Sequence, residues 1–307
     1  MIVETPANVR LRERIEVLKA ELNAAVMVHN YQRPEVQDVA DVLGDSLEMA
    51  REATRLDAEV LVVCGVLFMA ESAAILNPGR TVLLSEGTAR CPMADMITVE
   101  DLRRWKQRYP EALVVCYVNS SAAVKAESDY CCTSANAVAV VEAAPSEEIL
   151  FVPDQNLGSF VAGRTSKRVI LYPGYCNTHH RVRAQHIRRA KEEHPQAVVL
   201  VHPECRPEVT ALADEVLSTS QMAAFVAASE ARAFLIGTEE GLVYRLQKDN
   251  PEKAFYVVSA SLVCPDMKMT TMEEVVRTME LRRNVVAVAE ETRVKAKVAL
   301  DRMLAIT

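Results

Sequence analysis

The chain has 307 residues, half of them apolar and a quarter charged, with a formal net charge of −7. That composition is ordinary for a well-cored soluble protein, and the acidic balance excludes the basic face that nucleic acid requires. No apolar run reaches the length of a membrane span and no apolar segment behind basic residues marks a signal peptide, so a cytoplasmic protein without membrane contact is expected.

Residues 1–6 read as a tail. Leu11, Ile15, Leu18 and Leu22 then form a helical stripe within 9–22. A strand over 24–28 leads to His29-Asn-Tyr-Gln, and the chain turns at Pro34 into a short helix around 36–42. Asp45 or Ser46 caps a helix over 47–56. A strand over 61–66, a helix over 69–76, the turn Asn77-Pro-Gly and a strand over 81–84 complete a unit that delivers Cys91. The next unit opens with a helix over 98–108 behind Thr-x-x-Asp, a capping box. Strands over 113–117, near 130, over 149–152 and over 168–172 follow, with a helix ending at Ala144, and the last strand runs to Cys176. The third unit takes a helix over 183–194, a strand over 197–201, His202-Pro-Glu-Cys, Ser218-Thr-Ser-Gln and a strand over 234–236. Phe255-Tyr-Val-Val then leads to Cys264. Helices over 270–281 and 292–304 close the chain.

The three units keep one step. His29, Tyr117 and His202 are 88 and 85 residues apart, as are Ser46, Ser134 and Thr219; Cys91, Cys176 and Cys264 are 85 and 88 apart. First to third copy is 173 residues in all three sets. Such periodicity is the mark of a repeated module. The predicted domains are 1–93, with 284–307 packing back on it, then 94–180 and 181–283. Alternating strands and helices predict parallel sheets covered on both faces, hence an α/β fold of three αβα domains related by internal triplication about a pseudo-threefold axis. Ligands bind beyond the carboxyl ends of such strands, and the unusual polar residues collect there in every copy.

Eight cysteines in a reducing compartment are not expected to form a disulfide framework. Cys64, Cys116, Cys131 and Cys132 lie in apolar runs and read as packing residues; Cys205 reads either way. Cys91, Cys176 and Cys264 end a strand at matching places, and symmetry would bring them together. Three thiolates could bind zinc with one open position, or a four-iron cluster with one iron lacking a protein ligand; alternatively, three equivalent cysteines could simply be packed. His29, Tyr31, Tyr117, Asn119, His202 and Glu204 stand at strand ends as candidate acids, bases and orienters. Ser46, Ser134 and Thr219 read as N-caps, as anion contacts, or as both. The basic cluster His179-His-Arg-Val-Arg is expected to face solvent or a small anion. The residues alone describe an enzyme with a metal centre acting on a small polyanion; an iron–sulfur hydro-lyase acting on a small hydroxy acid and a zinc- or cluster-bearing protein that senses a metabolite are the readings kept beside it.

His29-Asn-Tyr-Gln, Gly44-Asp-Ser, Cys91-Pro-Met-Ala, Tyr117-Val-Asn-Ser, Thr133-Ser-Ala-Asn, Pro153-Asp-Gln-Asn-Leu, His202-Pro-Glu-Cys and Cys264-Pro-Asp-Met-Lys follow one another in the order in which the chain resembles the quinolinate synthase A family. These are 4Fe–4S enzymes of de novo NAD biosynthesis, and the resemblance covers nearly the whole chain. It implies Rossmann-like domains and condensation of iminoaspartate with dihydroxyacetone phosphate to quinolinate. An L-aspartate oxidase or dehydrogenase would supply the iminoaspartate. It further implies one 4Fe–4S cluster on Cys91, Cys176 and Cys264, whose open iron polarises a leaving hydroxyl. By the same resemblance Tyr31, Tyr117, His202 and Glu204 move protons, while His29, Ser46, Asn119, Ser134, Ser218 and Thr219 hold carboxylate or phosphate oxygens. The chain departs from the family pattern at Ser220, where glycine is expected, and at Asn177, where proline is expected. It also lacks a cysteine-rich C-terminal motif.

Overall fold

Residues 5–306 are described by a computed structural model, and their twelve strands form three four-stranded sheets. The first sheet holds β1 (Ala24–His29), β2 (Val42–Gly44), β3 (Val60–Cys64) and β4 (Thr81–Leu84). The second holds β5 (Leu113–Tyr117), β6 (Tyr130–Cys132), β7 (Glu148–Val152) and β8 (Arg168–Leu171). The third holds β9 (Val198–Val201), β10 (Glu215–Val216), β11 (Ala233–Gly237) and β12 (Ala254–Val257). The orders are β2-β1-β3-β4, β6-β5-β7-β8 and β10-β9-β11-β12, and each pairing is parallel. The fold is the expected triplicated, Rossmann-like αβα architecture.

Side-chain alternation explains why each sheet is covered twice. In the first, Val26, Val28, Val60, Val62, Cys64 and Leu83 pack with Ile15 and Leu18 of the helix Pro6–Leu22 and with Met272, Val275 and Met279 of the helix Met272–Leu281. The intervening Met27, Leu61, Val63, Val82 and Leu84 point the other way, toward Leu47, Ala50, Ala53, Phe68 and Ala73. The third sheet divides likewise, Val199, Val201 and Leu235 on one face and Leu200, Phe234 and Ile236 on the other.

Two polar devices recur with the repeat. Asp41, Asp129 and Asp214 each accept a hydrogen bond from the backbone N–H of a central strand, at Val26 (2.7 Å), Val114 (2.8 Å) and Val199 (2.8 Å). Arg80, Lys167 and Lys253 each cap carbonyls at the end of an earlier helix of the same repeat, at Ala53, at Val141, Glu142 and Ala144, and at Val226 and Ser229. Cations at a helix C-terminus satisfy carbonyls the helix cannot.

Several expectations are corrected. Residues 1–4 of the predicted tail lie outside the described residues, but Thr5 caps a helix that already begins at Pro6, its Oγ1 accepting from Asn8 N–H. The helix expected around 36–42 is only Pro34–Gln37, and the chain then becomes the edge strand β2. The helices Ala122–Ala126, Gln155–Ala162, Pro207–Thr210 and Gly241–Asp249 and the strand β10 are additions to the sequence-based order of elements. The C-terminal segment begins on the first sheet, where Val286 N–H donates to the Val82 carbonyl at 2.9 Å. Its helix, Glu290–Leu304, touches the helix Leu67–Leu76 of the first repeat, but also Ala122–Ala126 and β6 of the second. No helix among the described residues is long and apolar enough to cross a membrane.

Candidate active site at the junction of the repeats

β1 and β5 end in His29 and Tyr117, and β9 is followed directly by His202. All three residues line one cavity of about 170 Å³. Cys91, Cys176 and Cys264 line it too, as do Tyr31, Ser46, Asn119, Ser134, Thr219 and Glu204. Of the residues singled out from sequence only Ser218 stands back: it is fully buried, caps the helix Thr219–Ala228 and donates to Asp45 Oδ2 at 3.2 Å. Ser46 and Thr219 open ten-residue helices whose starts are joined by the Ser218–Asp45 hydrogen bond. Ser134 instead sits in a turn before the helix Ala137–Ala143. Ser220, in the place of the expected glycine, accepts from Asp45 N–H (3.3 Å) and donates to Glu48 (2.9 Å), joining those two helix starts.

The histidine tautomers follow from the backbone. Tyr31 N–H donates to Nδ1 of His29 at 3.2 Å, and Glu204 N–H to Nδ1 of His202 at 3.3 Å. An amide N–H can only donate, so each neutral ring carries its proton on Nε2. Burial depresses His29 to about 4 and His202 to about 3. Both are therefore neutral donors near pH 7, and Nε2 of His202 meets Ser134 Oγ at 3.1 Å.

Glu204 is the anionic counterpart. Tyr117 donates to its Oε1 at 2.7 Å, and His179 Nδ1 lies 2.6 Å from its Oε2. Burial by itself would raise the Glu204 carboxyl, but the pull of His179 and His202, with hydrogen bonds from His179 and Tyr117, carries it below the ordinary carboxylate range. Burial, reinforced by the charge of Glu204, pushes Tyr31 and Tyr117 well above the usual phenol value, so both keep their protons. A continuous chain of contacts results: Tyr31 Oη to Thr238 Oγ1 (2.6 Å), Thr238 to His179 Nε2 (2.9 Å), His179 to Glu204, and Glu204 to Tyr117.

His179 is the main residue that sequence reasoning misses. The basic cluster it opens is expected to face solvent or a small anion; Arg181 and Arg183 are exposed, whereas His179 is buried in the cavity wall and Val182 is fully buried. The helix Asn177–His180 turns His179 back onto Cys176 Sγ, 3.2 Å away. Thr238 and Glu239, which follow the strand expected over 234–236, are missed as well, and Lys268 enters the sequence reading only as the last residue of Cys264-Pro-Asp-Met-Lys.

Each cavity cysteine opens a tight turn: Cys91 before Ala94–Met96, Cys176 before Asn177–His180 and Cys264 before Met267–Met269. Backbone N–H groups of those turns point at the sulfurs, from Ala94 and Met93, from His179, and from Met267 and Asp266. Burial pushes all three thiols up, Cys91 to about 12. As thiolates they need a nearby cationic centre, and amide N–H groups on the sulfurs are what iron–sulfur sites use to tune one. Asn119 Oδ1 is buried with no hydrogen-bond partner among the described residues, an acceptor waiting for a ligand group. The donor set therefore fits an inorganic centre. Cys176, His179 and Glu204 form the compact group, with ligand atoms within 4.8 Å of one another; it contains one cysteine, and Cys91 and Cys264 lie outside it. Cys64, Cys116, Cys131, Cys132 and Cys205 are buried. Cys205 packs in the third repeat with its Sγ 3.4 Å from the Gly237 carbonyl.

The chain matches the family model described as "NadA: Quinolinate synthetase A protein" over residues 13–305. It is 55% identical over 296 residues to a quinolinate synthase of Dehalococcoides mccartyi strain CBDB1, covering 96% of this chain and 98% of that one. It is 54% identical over 296 residues to quinolinate synthase 1 of Methanosarcina acetivorans, covering 96% and 97%. A quinolinate synthase of Thermodesulfovibrio yellowstonii is 52% identical over 298 residues, covering 97% and 98%.

Proposed function

The chain belongs to the quinolinate synthase A family, and on that premise we propose that it condenses iminoaspartate with dihydroxyacetone phosphate to give quinolinate, phosphate and two waters in de novo NAD biosynthesis. The observation that carries this reading is the single cavity to which all three repeats bring a cysteine and a proton-handling strand end.

Cys91, Cys176 and Cys264 would hold a 4Fe–4S cluster, one cysteine from each proposed domain, 1–93, 94–180 and 181–283. When bound, such a cluster with one iron free of protein ligands supplies Lewis acidity for dehydration. The substrates bring two carboxylates and a phosphate. Ser46 and Thr219, at neighbouring helix N-termini, offer hydroxyl and backbone donors to such anions, with Ser218 holding the second terminus from behind. Arg181 adds a cation at the wall. Neutral His29 donates through Nε2, and Asn119 offers its unpartnered oxygen to a substrate N–H or hydroxyl.

Proton handling falls to the chain between Tyr31 and Tyr117. Glu204, kept ionised, is the base; Tyr31 and Tyr117, kept protonated, are donors; His202 orients through Nε2; His179 links Glu204 to the Tyr31 side. A cytoplasmic enzyme fed by an aspartate-oxidising oxidase or dehydrogenase is the matching setting.

Anaerobically prepared protein incubated with dihydroxyacetone phosphate and freshly generated iminoaspartate should form quinolinate, and Cys176→Ala should not. Turnover unchanged in Cys176→Ala would overturn the assignment.

A further inference from the structure

Glu239 lies two residues beyond β11 and is fully buried. Its Oε2 accepts Gly241 N–H at 2.7 Å and lies 3.1 Å from Lys268 Nζ. Its Oε1 accepts Cys264 N–H at 3.1 Å and lies 3.0 Å from the same Nζ. Lys268 Nζ also donates to the Tyr31 carbonyl at 2.7 Å, and the Lys268 carbonyl accepts Arg33 Nε at 2.8 Å. The packing leaves no slack: a Cβ on Gly241 would fall 2.7 Å from the Tyr31 carbonyl carbon and oxygen. One ammonium thus ties the loop that carries Tyr31, in the first repeat, to the turn that carries Cys264, in the third.

The device is particular to this seam. The matching position is Val66 in the first repeat and Asp154 in the second, and Asp154 caps its own helix through Asn156 and Leu157 N–H at 2.7 and 3.0 Å. A buried ion pair adds little net stability over an apolar replacement, because desolvation offsets the attraction. What it does supply is geometry: ammonium donors that reach both a carboxylate and a carbonyl across two loops.

We propose that Lys268, with Glu239 as its counter-ion, is a positioning residue for the reaction, fixing the Tyr31 loop and the Cys264 turn against each other. The inference rests on the proposed roles of Tyr31 and Cys264, so its test needs a readout that is independent of turnover. Lys268→Met leaves a stranded buried carboxylate and can fail to fold for that reason alone; the double variant Lys268→Met/Glu239→Gln removes the stranded charge and breaks the same contact. Backbone hydrogen exchange is measured on iron-free protein at residues 30–33 and 264–268, alongside kcat and KM on the iron-loaded enzyme. In Lys268→Met, or in the double variant should the single one not fold, both segments should exchange at least tenfold faster. The kcat should fall at least tenfold while KM stays within threefold, and Lys268→Arg should recover part of both. Wild-type exchange in both segments, or wild-type kcat in the double variant, overturns the proposal. If wild-type protein makes no quinolinate, the functional reading fails by itself, and exchange in the iron-free variants still decides whether the clamp exists.

Discussion

Across the seam between the first and second repeats, Leu47, Ala50 and Phe68 share one apolar core with Val124, Val140, Leu300 and Met303. Across the seam between the first and third, Asn30 donates to Thr219 (2.9 Å), Ser218 to Asp45 (3.2 Å), Arg245 to Asn30 (2.7 Å) and Lys268 to the Tyr31 carbonyl (2.7 Å). Apolar burial is strong and indifferent to direction, so the first seam, with the C-terminal helix wedged into it, fixes two repeats as one body. Hydrogen bonds are directional and exchangeable with polar ligands, so the second seam is suited to grip a substrate. Stability and chemistry are thereby assigned to different joints, and substitutions should pull them apart.

The largest effect is expected in the cavity, where Glu204 of the third repeat meets Tyr117 and His179 of the second. Glu204→Gln keeps shape but removes the proposed base, and a positioned base contributes about 10²–10⁴ in rate. Its kcat should fall at least 100-fold with the thermal midpoint close to wild type; turnover above a tenth of wild type would move proton handling elsewhere. Next is the apolar joint. Leu300→Ala empties a fully buried site and should cost about 2–5 kcal/mol in urea unfolding, with kcat per folded molecule unchanged.

A pH effect of similar size follows from His29. Its folded value is about 4 against an ordinary 6.5, so below pH 6.5 the unfolded chain takes up a proton that the folded protein refuses. Stability should therefore fall as pH drops from about 6.5 to about 4, by up to ~3 kcal/mol, and stay level above 6.5 as far as this group is concerned. His29→Gln should flatten that slope; an unaltered slope would mean that other groups set it. The smallest effect is local. Asp214→Ala removes the hook on Val199 N–H and should cost about 1–2 kcal/mol by denaturant titration, with Asp129→Ala costing a similar amount in the second repeat. A loss in only one of the two would show that the hooks are not equivalent.

The periodic core is legible in the sequence because strands buried on both faces must be apolar throughout: 81–84 and 113–117 agree with the structure to the residue, and the strand ends at His29, Tyr117 and His202 lie where the spacing puts them. The edge strands β2 and β10 escape because three and two residues carry no period. Asp41, Asp129 and Asp214 repeat at 88 and 85 residues, but an aspartate in a loop has no distinctive signature until its strand partner is known. His179 is not singled out for the same reason: three of the four residues that follow it are basic, and only the turn after Cys176 folds the ring inward. Ser218 reads as a ligand contact, although its hydroxyl is taken up by Asp45 and the helix start behind the cavity wall.

Iron and acid-labile sulfide, measured per chain on protein prepared without oxygen, test the shared centre most directly. About four of each are expected for wild type, with near-complete loss in Cys91→Ala, Cys176→Ala and Cys264→Ala alike. A single zinc or iron held by Cys176, His179 and Glu204, and retained when Cys91 or Cys264 is replaced, would contradict a cluster common to the three repeats.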